Sequence, residues 1–196
     1  MINSNMKLRE LTGYKQDPYY QKAVEIFKNH TITIQKKLDT FADFMKNHGF
    51  NILGSGIAGL AFEKNGYPWV FKIFHDDEGY LHFFNYAKTH QNNPNVPKTK
   101  GGALTLASDS FMGKLYLVRI EKLSPFPVGN EVLNLLWGID FSDDLTPEIE
   151  QKIAKVYPGI IDVLKDAFSS GYSLDLHPGN VMMRGNIPVI IDPLLG

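Results

Sequence analysis

The sequence predicts an α+β fold in which a block of short strands is flanked by helical segments. Apolar residues recur with helical spacing over residues 18–47. From residue 50 to about residue 120 the pattern changes to short apolar runs separated by turn residues, with one helical stretch between them. Helical spacing returns after the proline-rich stretch Leu123–Pro127. We therefore expect a five-stranded antiparallel sheet with helices before and after it.

The first half of the chain supplies the predicted sheet and two helices in front of it. The helices are indicated by apolar side chains on otherwise polar turns: Tyr20, Ala23, Val24, Phe27, Ile34, Leu38, Phe41, Phe44 and Met45. Three antiparallel strands follow between Phe50 and Phe74. The sequence Lys64-Asn65-Gly66 predicts a tight hairpin between the second and third strands, because Asn and Gly tolerate positive φ.

A helix is predicted over residues 77–90, and Asn92, Asn93 and Pro94 are expected to end it. Two more strands are predicted around Ala103–Ala107 and Leu115–Ile120, which brings the number of strands to five.

The last part of the chain is predicted to be mainly helical and to end in a small hairpin. Thr146-Pro147-Glu148 is a typical helix start, and Pro158 should kink or divide the helix that follows. The expected buried stripe comprises Ile149, Ile153, Val156, Ile160, Ile161, Leu164 and Phe168. Two short apolar runs, Val181–Met183 and Pro188–Ile191, predict the hairpin.

Composition excludes several classes of function. The 196 residues include no cysteine, so disulfides, thiol catalysis and cysteine zinc sites are absent. Twenty basic residues against 21 acidic ones give no argument for a nucleic-acid partner. No apolar run approaches the roughly 20 residues of a membrane span, and Met1–Arg9 does not resemble a signal peptide. We expect a cytoplasmic protein with neither a membrane nor a nucleic-acid partner.

A glycine motif lies within the predicted strands. Gly54-Ser55-Gly56-Ile57-Ala58-Gly59 has the pattern G-x-G-x-x-G, which occurs in two types of phosphate-binding loop and also in ordinary turns. In a dinucleotide-binding unit the third glycine begins a helix, whereas here strands are predicted after Gly59. Glycines between antiparallel strands favour a lid whose backbone N–H groups reach phosphate oxygens.

Lys72 is a lone cation in the apolar strand Val70-Phe71-Lys72-Ile73-Phe74. A buried ammonium needs an anion, and the phosphates of ATP would supply one. The alternative interpretation is an ordinary solvent-exposed strand lysine.

The segment Ser173–Asn180 and the later Asp192 carry the strongest chemical pattern. Asp175 is followed five residues later by Asn180, and Asp192 ends an apolar strand twelve residues after that. Phosphoryl transfer needs one carboxylate to orient the attacking hydroxyl and oxygen ligands for Mg²⁺. Asp175 fits the first role, and Asn180 and Asp192 fit the second.

The ordered set of glycine loop, Lys72, Asp175, Asn180 and Asp192 resembles the protein-kinase-like superfamily over approximately residues 50–196. The segment Asp-Leu-His-Pro-Gly-Asn is most similar to the corresponding segment of aminoglycoside-phosphotransferase-like kinases and of minimal kinases from bacterial effectors and phages. The resemblance implies a two-lobed fold, with a five-stranded antiparallel N-lobe and a truncated helical C-lobe. It implies a division into an N-terminal helical extension (1–48), an N-lobe (49–123) and a minimal C-lobe (124–196).

The same resemblance implies ATP and Mg²⁺ as cofactors and assigns roles at the site. Asp175 and Lys72 would be catalytic, and Asn180 and Asp192 would bind the metal. The nucleotide contacts would be Gly54, Ser55, Gly56, Gly59 and Lys72, with Glu121–Leu123 as the hinge whose backbone binds adenine.

The sequence departs from the family pattern in several respects, and besides the truncated C-lobe three of them concern individual residues. Glu78, Asp76 and Asp77 are the acidic residues nearest to Lys72, where the family has a glutamate on the following helix. Ser173-Leu174 replaces the usual His-Arg before Asp175, and Pro193-Leu194 replaces Phe-Gly after Asp192.

We expect a phosphotransferase that acts on Ser/Thr hydroxyls of a protein in the cytoplasm of the producing or host cell. Four alternatives stay open: a small-molecule kinase, a pseudokinase that binds or inhibits a partner, transfer of AMP instead of phosphate, and a dinucleotide-dependent oxidoreductase.

Overall fold

The computed structural model describes residues 17–56, 59–109, 113–126, 131–142 and 145–195. These residues form an α+β protein with six α-helices and a five-stranded antiparallel sheet. They divide into two compact units, and each unit consists of two stretches of chain. The first unit comprises the residues up to Asp76 together with Thr99–Lys122. The second unit comprises Asp77–Lys98 together with the residues from Leu123 onward. Each unit has its own hydrophobic core.

The first unit contains two helices and the five-stranded sheet. The elements are α1 (Pro18–Phe27), α2 (Ile34–Asn47), β1 (Asn51–Gly56), β2 (Gly59–Glu63), β3 (Trp69–His75), β4 (Leu104–Asp109) and β5 (Gly113–Glu121). The strand order is β1-β2-β3-β5-β4, and every neighbouring pair is antiparallel. The two helices and five strands predicted for these regions are confirmed.

The connection between β2 and β3 is longer than the tight turn predicted from Lys64-Asn65-Gly66. It spans residues 64–68, and Tyr67 N donates to Lys64 O at 3.2 Å. Gly66 has a φ of +75°, but Asn65 does not adopt positive φ. The two strands are nevertheless paired, as predicted, with Ala61 opposite Lys72.

One face of the sheet packs against α1 and α2. Phe71 and Ile73 of β3 belong to the same buried cluster as Tyr20 of α1 and Phe41 and Met45 of α2. Because side chains alternate between the two faces of a strand, Lys72 lies on the face opposite these helices.

A buried ion pair attaches α1 to β5. Asp17 is the N-cap of α1 and accepts hydrogen bonds from Tyr19 N at 3.0 Å and Tyr20 N at 3.3 Å. Its other carboxylate oxygen accepts from Nη1 of Arg119, a residue that is only 1% exposed. The Arg119 guanidinium also lies 4.4 Å from the ring centroid of Tyr20.

The second unit is mainly helical. Its elements are α3 (Glu78–Thr89), β6 (Ser124–Pro125), α4 (Glu131–Ser142), α5 (Pro147–Val156), α6 (Pro158–Ser170), β7 (Ser173–Leu174), a 3₁₀ turn (Pro178–Asn180), β8 (Val181–Arg184), β9 (Ile187–Ile190) and β10 (Leu194–Leu195). Its core draws on α3, α4, α5 and α6 and on the short strands, with Phe83, Leu136, Ile153 and Leu164 fully buried.

The predicted division of the late helical region at Pro158 is confirmed. Thr146 caps α5 by accepting from Ile149 N at 3.3 Å, and Pro158 begins α6. The predicted burial of Val156 is wrong, because its side chain is 59% exposed at the last position of α5. A residue at the end of a helix can point away from the core when the chain changes direction immediately afterwards.

The predicted hairpin near the end of the chain is confirmed as β8 and β9, which pair antiparallel. Its two-residue turn begins with Gly185, whose φ of +60° suits the first central position of a hairpin turn. β7 pairs with β10, and β6 pairs with β8.

None of the helices in the described parts of the chain combines the length and the apolar character needed to cross a bilayer.

Candidate functional site

The loop from Asp175 to Asn180 is held at both ends by backbone hydrogen bonds. At its start, β7 pairs with β10, and Asp175 N donates to Pro193 O at 2.7 Å. At its end, Ile191 N donates to Asn180 O at 2.9 Å. The strand end that carries Asp192 is therefore tied to the loop on each side of that residue.

The direction of the Asp175 side chain follows from its neighbours. Leu174 and Leu176 are both buried in the core of the second unit, the latter completely. The carboxylate between them is held away from the core, with its side chain 25% exposed. The carboxylate is thus partly accessible to solvent.

Asn180 fixes the Asp175 carboxylate. The Asn180 Nδ2 group donates to Asp175 Oδ2 at 2.8 Å and to the Asp175 backbone O at 2.9 Å. Asn180 is itself only 9% exposed, so these bonds are partly shielded from water. Because Nδ2 supplies both bonds, the side-chain oxygen Oδ1 is the atom that Asn180 can offer to a metal.

His177 lies on the other side of the same carboxylate. Its Nδ1 accepts from Gly179 N at 3.0 Å, which in the neutral ring places the proton on Nε2. Nε2 lies 3.6 Å from Asp175 Oδ1, within electrostatic range but beyond a direct hydrogen bond. A Cβ at position 179 would come within 2.6 Å of His177 Cε1, so a glycine is required there for the ring to fold back.

Asp192 follows β9 and is partly exposed. Asn180 Oδ1 and the Asp192 carboxylate are hard oxygen donors, the type that Mg²⁺ prefers. Within the described ranges, no group of three or more His, Asp or Glu side chains is arranged to hold a metal ion. Two protein oxygens suit a Mg²⁺ ion that takes its other ligands from nucleotide phosphates and water, so these residues fit the predicted metal.

The glycine motif connects β1 and β2. Gly56 is paired with Gly59, while Ile57 and Ala58 lie outside the described residues. Gly59 begins a strand, so the helix that a dinucleotide-binding unit requires after its third glycine is replaced by β2. A Cβ at Gly59 would lie 2.0 Å from Ile73 O, whereas one at Gly54 would meet no atom within 4 Å.

Gly54 and Lys72 lie in one row across the sheet. Gly54 is paired with Ala61 of β2, and Ala61 is paired with Lys72 of β3. Since neighbouring strands are about 4.8 Å apart, the backbones of Gly54 and Lys72 are about 10 Å apart. On the far side, Lys72 is paired with Val118 of β5, and the Lys72 side chain is partly exposed.

Two of the three acidic residues close to Lys72 in the sequence accept hydrogen bonds from backbone N–H groups. Asp77 caps α3 by accepting from Tyr80 N at 2.7 Å, and Asp76 Oδ1 accepts from Lys114 N at 3.4 Å. Glu78 is an exposed residue in the first turn of α3.

The predicted adenine-binding segment lies at the end of β5. Glu121 is the last residue of that strand and is paired with Trp69, and Leu123 follows it by two positions. Lys122 N, between them, donates to Pro68 O at 2.9 Å.

Sequence reasoning missed two residues that hold the strand before Asp192. Asn95 Nδ2 donates to Pro188 O at 2.7 Å, and Asn95 O accepts from Ile190 N at 3.0 Å. Arg184 of β8 donates to the backbone O of Pro94 at 2.6 Å and of Val96 at 2.9 Å. These partners are about 90 residues apart in the chain, and the neighbouring Asn93-Pro94 indicated only the end of a helix.

The structure thus brings Asp175, Asn180 and the segment before Asp192 together, and it aligns Gly54 with Lys72.

No known protein-family model matches the sequence, and a comparison with curated proteins finds no significant match.

Proposed function

We propose that this chain is an ATP- and Mg²⁺-dependent phosphotransferase that transfers the γ-phosphate to a hydroxyl group. The observation that carries the proposal is the pair of hydrogen bonds from Asn180 Nδ2 to Asp175, at 2.8 Å to Oδ2 and 2.9 Å to the backbone O. They join a carboxylate suited to orienting a hydroxyl with an amide oxygen suited to binding Mg²⁺. Such an arrangement is what phosphoryl transfer requires, because positioning and charge neutralisation supply most of the rate.

Asp175 is proposed to accept the proton of the attacking hydroxyl. Its Oδ2 is occupied by Asn180, and Oδ1 faces the Nε2 side of His177. His177 is proposed to act as a positioning residue, which limits rotation of the carboxylate without itself contacting the substrate. The partial exposure of Asp175 leaves room for a hydroxyl to approach.

Asn180 and Asp192 are proposed to bind the Mg²⁺ that accompanies ATP. When bound, the nucleotide–metal complex supplies the phosphoryl group and neutralises its charge. The backbone bonds Asp175 N to Pro193 O and Ile191 N to Asn180 O set the spacing between these residues before any ligand binds. A pre-set spacing reduces the entropy cost of forming the site.

Lys72 and the glycine segment are proposed to contact the phosphates. The row that joins Gly54, Ala61 and Lys72 places a residue without a Cβ and a cation on the two strands that flank β2 in one sheet. The open space at Gly54 supports a role in which its backbone approaches a ligand, since steric crowding does not explain that glycine.

We propose further that the five-stranded sheet and the helical residues correspond to the two lobes of a protein-kinase-like fold. The substrate is proposed to be a Ser or Thr hydroxyl of a protein. The alternatives are separated by the experiment below, because each predicts a different labelled product.

The test is transfer of label from γ-labelled ATP by the purified chain with Mg²⁺, with and without a cell lysate. Asp175→Asn is expected to lower transfer by about 10²- to 10⁴-fold, the range that a general base contributes. The variant should still fold, because Asn keeps an oxygen that can accept from Asn180 Nδ2. The matched control is Asp162→Asn, an identical change at an exposed carboxylate of α6.

Label on a protein band with wild type and Asp162→Asn, but not with Asp175→Asn, would support a protein kinase. Label in a small molecule would identify a metabolite kinase with the same site. If the intact mass of the target increases by the mass of AMP instead of phosphate, the transferred group is AMP. ATP binding without any transfer would identify a pseudokinase, and equal transfer by wild type and Asp175→Asn would refute the assignment of Asp175.

A further inference from the structure

A groove on the first unit lies between the α1–α2 connection and the edge of the sheet. Its volume is about 540 Å³. Lys28, His30 and Ile32 line one side, and residues 105–108 of β4 line the other. We call it the β4 groove. Its volume falls within the range of about 300–1,000 Å³ that is typical of ligand sites.

Among the described residues, β4 is an edge strand of the sheet, and its residues 105–108 line the groove. β4 is the last strand in the order β1-β2-β3-β5-β4, so β5 covers one of its edges. No other strand of the described residues pairs with its second edge. Alternate N–H and C=O groups of an edge strand lack ladder partners and can pair with an added strand. Thr105 and Ser108 are exposed along this edge.

The side chains that line the groove are basic or uncharged. Lys28 and His30 are exposed, and Lys37 is buried in the wall, where its ammonium donates to Phe27 O at 3.2 Å. None of the described residues lining the groove is an Asp or Glu. Ile32 and Leu106 add partly buried apolar surface. Charge complementarity therefore favours an occupant that is acidic and carries apolar side chains.

We infer that the β4 groove binds an extended, acidic segment of a partner protein, which adds to the sheet as a strand beside β4. Residues 105–108 span about 13 Å at roughly 3.3 Å per residue, so a segment of about four to six residues suffices. The main chain of the segment supplies ladder hydrogen bonds, and its acidic side chains meet Lys28 and His30.

The residues of this chain before Asp17 do not match that chemistry. They include Lys7, Arg9 and Lys15 against the single acidic residue Glu10, so their charge has the same sign as that of the groove. The inference goes beyond phosphoryl transfer and does not depend on it, because the groove and its edge strand lie within the first unit and the test uses no nucleotide.

The test is binding of fluorescein-labelled hexapeptides to the full chain, measured by anisotropy without ATP. One peptide alternates Glu and Val, a second alternates Lys and Val, and a third has the acidic sequence with Pro at a central position. The acidic peptide is expected to bind about tenfold more tightly than either of the others, a difference of about 1.4 kcal/mol. The Lys peptide has the wrong charge, and the Pro peptide lacks a ladder donor.

Two charge-reversed variants locate the site. Lys28→Glu is expected to weaken binding of the acidic peptide about fivefold, in line with the loss of one exposed ion pair. Lys46→Glu makes the same change at an exposed position near the end of α2 and outside the groove, and it should leave binding unchanged.

Selective binding of the acidic peptide, weakened only by Lys28→Glu, supports the inference. Equal binding of the acidic and basic peptides, equal losses in the two variants, or no binding of any peptide would overturn it. Sedimentation that shows a dimer disrupted by Lys28→Glu would also overturn it, because the occupant would then be a second copy of this chain.

Discussion

Asn180 shows how a single side chain can support both structure and proposed chemistry. Its Nδ2 group satisfies two acceptors of Asp175, one on the backbone and one on the carboxylate. The same contact therefore closes the loop and fixes the orientation of the Asp175 carboxylate.

Two glycines of the motif differ in the space around them, so a side chain at each would have different effects. A Cβ at Gly59 would collide with Ile73 O, whereas Gly54 has open space around it. Gly59→Ala should lower the free energy of unfolding by about 1–3 kcal/mol, because the paired backbone of β3 must move. Gly54→Ala, the control, should change it by less than about 0.5 kcal/mol. Urea unfolding of both variants measures the difference, and equal losses would contradict this account.

Tyr86 of α3 provides a residue-scale prediction about pH. Burial, followed by the negative charges of Asp166 and Asp162, raises its pKa to about 12. Between about pH 10, the usual pKa of tyrosine, and about pH 12, the unfolded chain releases the phenol proton and the folded chain retains it. The stability that Tyr86 contributes is thus present below pH 10 and is lost as the pH rises through this range.

The comparison of wild type with Tyr86→Phe isolates this effect from that of the other tyrosines. The stability of wild type should fall more steeply above about pH 10 than that of Tyr86→Phe. In a pH titration followed by the near-ultraviolet absorbance of tyrosinate, wild type should show one more tyrosine with a raised pKa than Tyr86→Phe. Identical slopes in the two proteins would show that Tyr86 ionises normally.

At the scale of the elements, α1 is held by its own N-cap. Asp17 accepts the first backbone N–H groups of α1 with one oxygen and the Arg119 guanidinium with the other. Asp17 thus satisfies backbone N–H groups at the start of α1 and also neutralises the buried Arg119 of β5. The capping function needs an oxygen, whereas the neutralising function needs a charge.

Asp17→Asn separates these two functions. The cap is preserved, but the buried Arg119 is left without a counter-ion, so unfolding should become easier by about 3–5 kcal/mol. Adding Arg119→Met should recover part of this loss. Asp77→Asn, the same change at the half-buried N-cap of α3, should cost less than about 1 kcal/mol. Thermal unfolding measures all three, and equal effects at Asp17 and Asp77 would contradict the role of the ion pair.

The elements also show which parts of the fold a sequence can predict. Three features that depend on neighbours in the chain were predicted correctly: the start at Thr146, the break at Pro158 and the β8–β9 hairpin. The tight turn predicted at Lys64-Asn65-Gly66 was wrong, because the connection spans residues 64–68. Val156 was misassigned because periodicity along α5 does not reveal which end of a helix leaves the core. Longer-range partners, such as Asn95 with Pro188 and Asp17 with Arg119, leave no local pattern at all.

The same distinction applies to the candidate site. The prediction of Asp175, Asn180 and Asp192 as site residues rests on residue type and spacing within two short segments, and it stays a prediction. The alignment of Gly54 with Lys72 depends on the register of β1, β2 and β3. That register includes an irregularity of β1 between Ile52 and Gly54, which no sequence pattern indicated. Contacts across the sheet or the core join residues that are distant in the chain, so the local sequence does not indicate them.

At the scale of the molecule, the two units are interleaved along the chain. The chain passes between them at residues 76–77, 98–99 and 122–123. The second unit therefore consists of two separate segments, and the shorter one supplies Phe83, Ala87 and Val96 to its core. Without this segment the core loses several kcal/mol of burial, because Phe83 and Val96 each contribute roughly 1.5–3 kcal/mol.

This interleaving predicts the behaviour of fragments. Residues 123–196 alone should show no cooperative unfolding, because α3 is missing from their core. Addition of a peptide spanning residues 77–98 should restore ellipticity beyond the sum of the two parts, and a Phe83→Asp version of that peptide should not. Circular dichroism measures both outcomes, and cooperative folding of 123–196 by itself would contradict the prediction.

The pairing of β7 with β10 has a consequence for shortened forms of the chain. Ser173–Leu174 meets Leu194–Leu195, and Asp175 N donates to Pro193 O, so the segments that hold the start of the loop lie about twenty residues after it. A chain that ends at Asp192 would keep Asp175, Asn180 and Asp192 but would lose both the β7–β10 pairing and the acceptor of Asp175 N. All three proposed side chains would then be present in a loop that is no longer tied at its start.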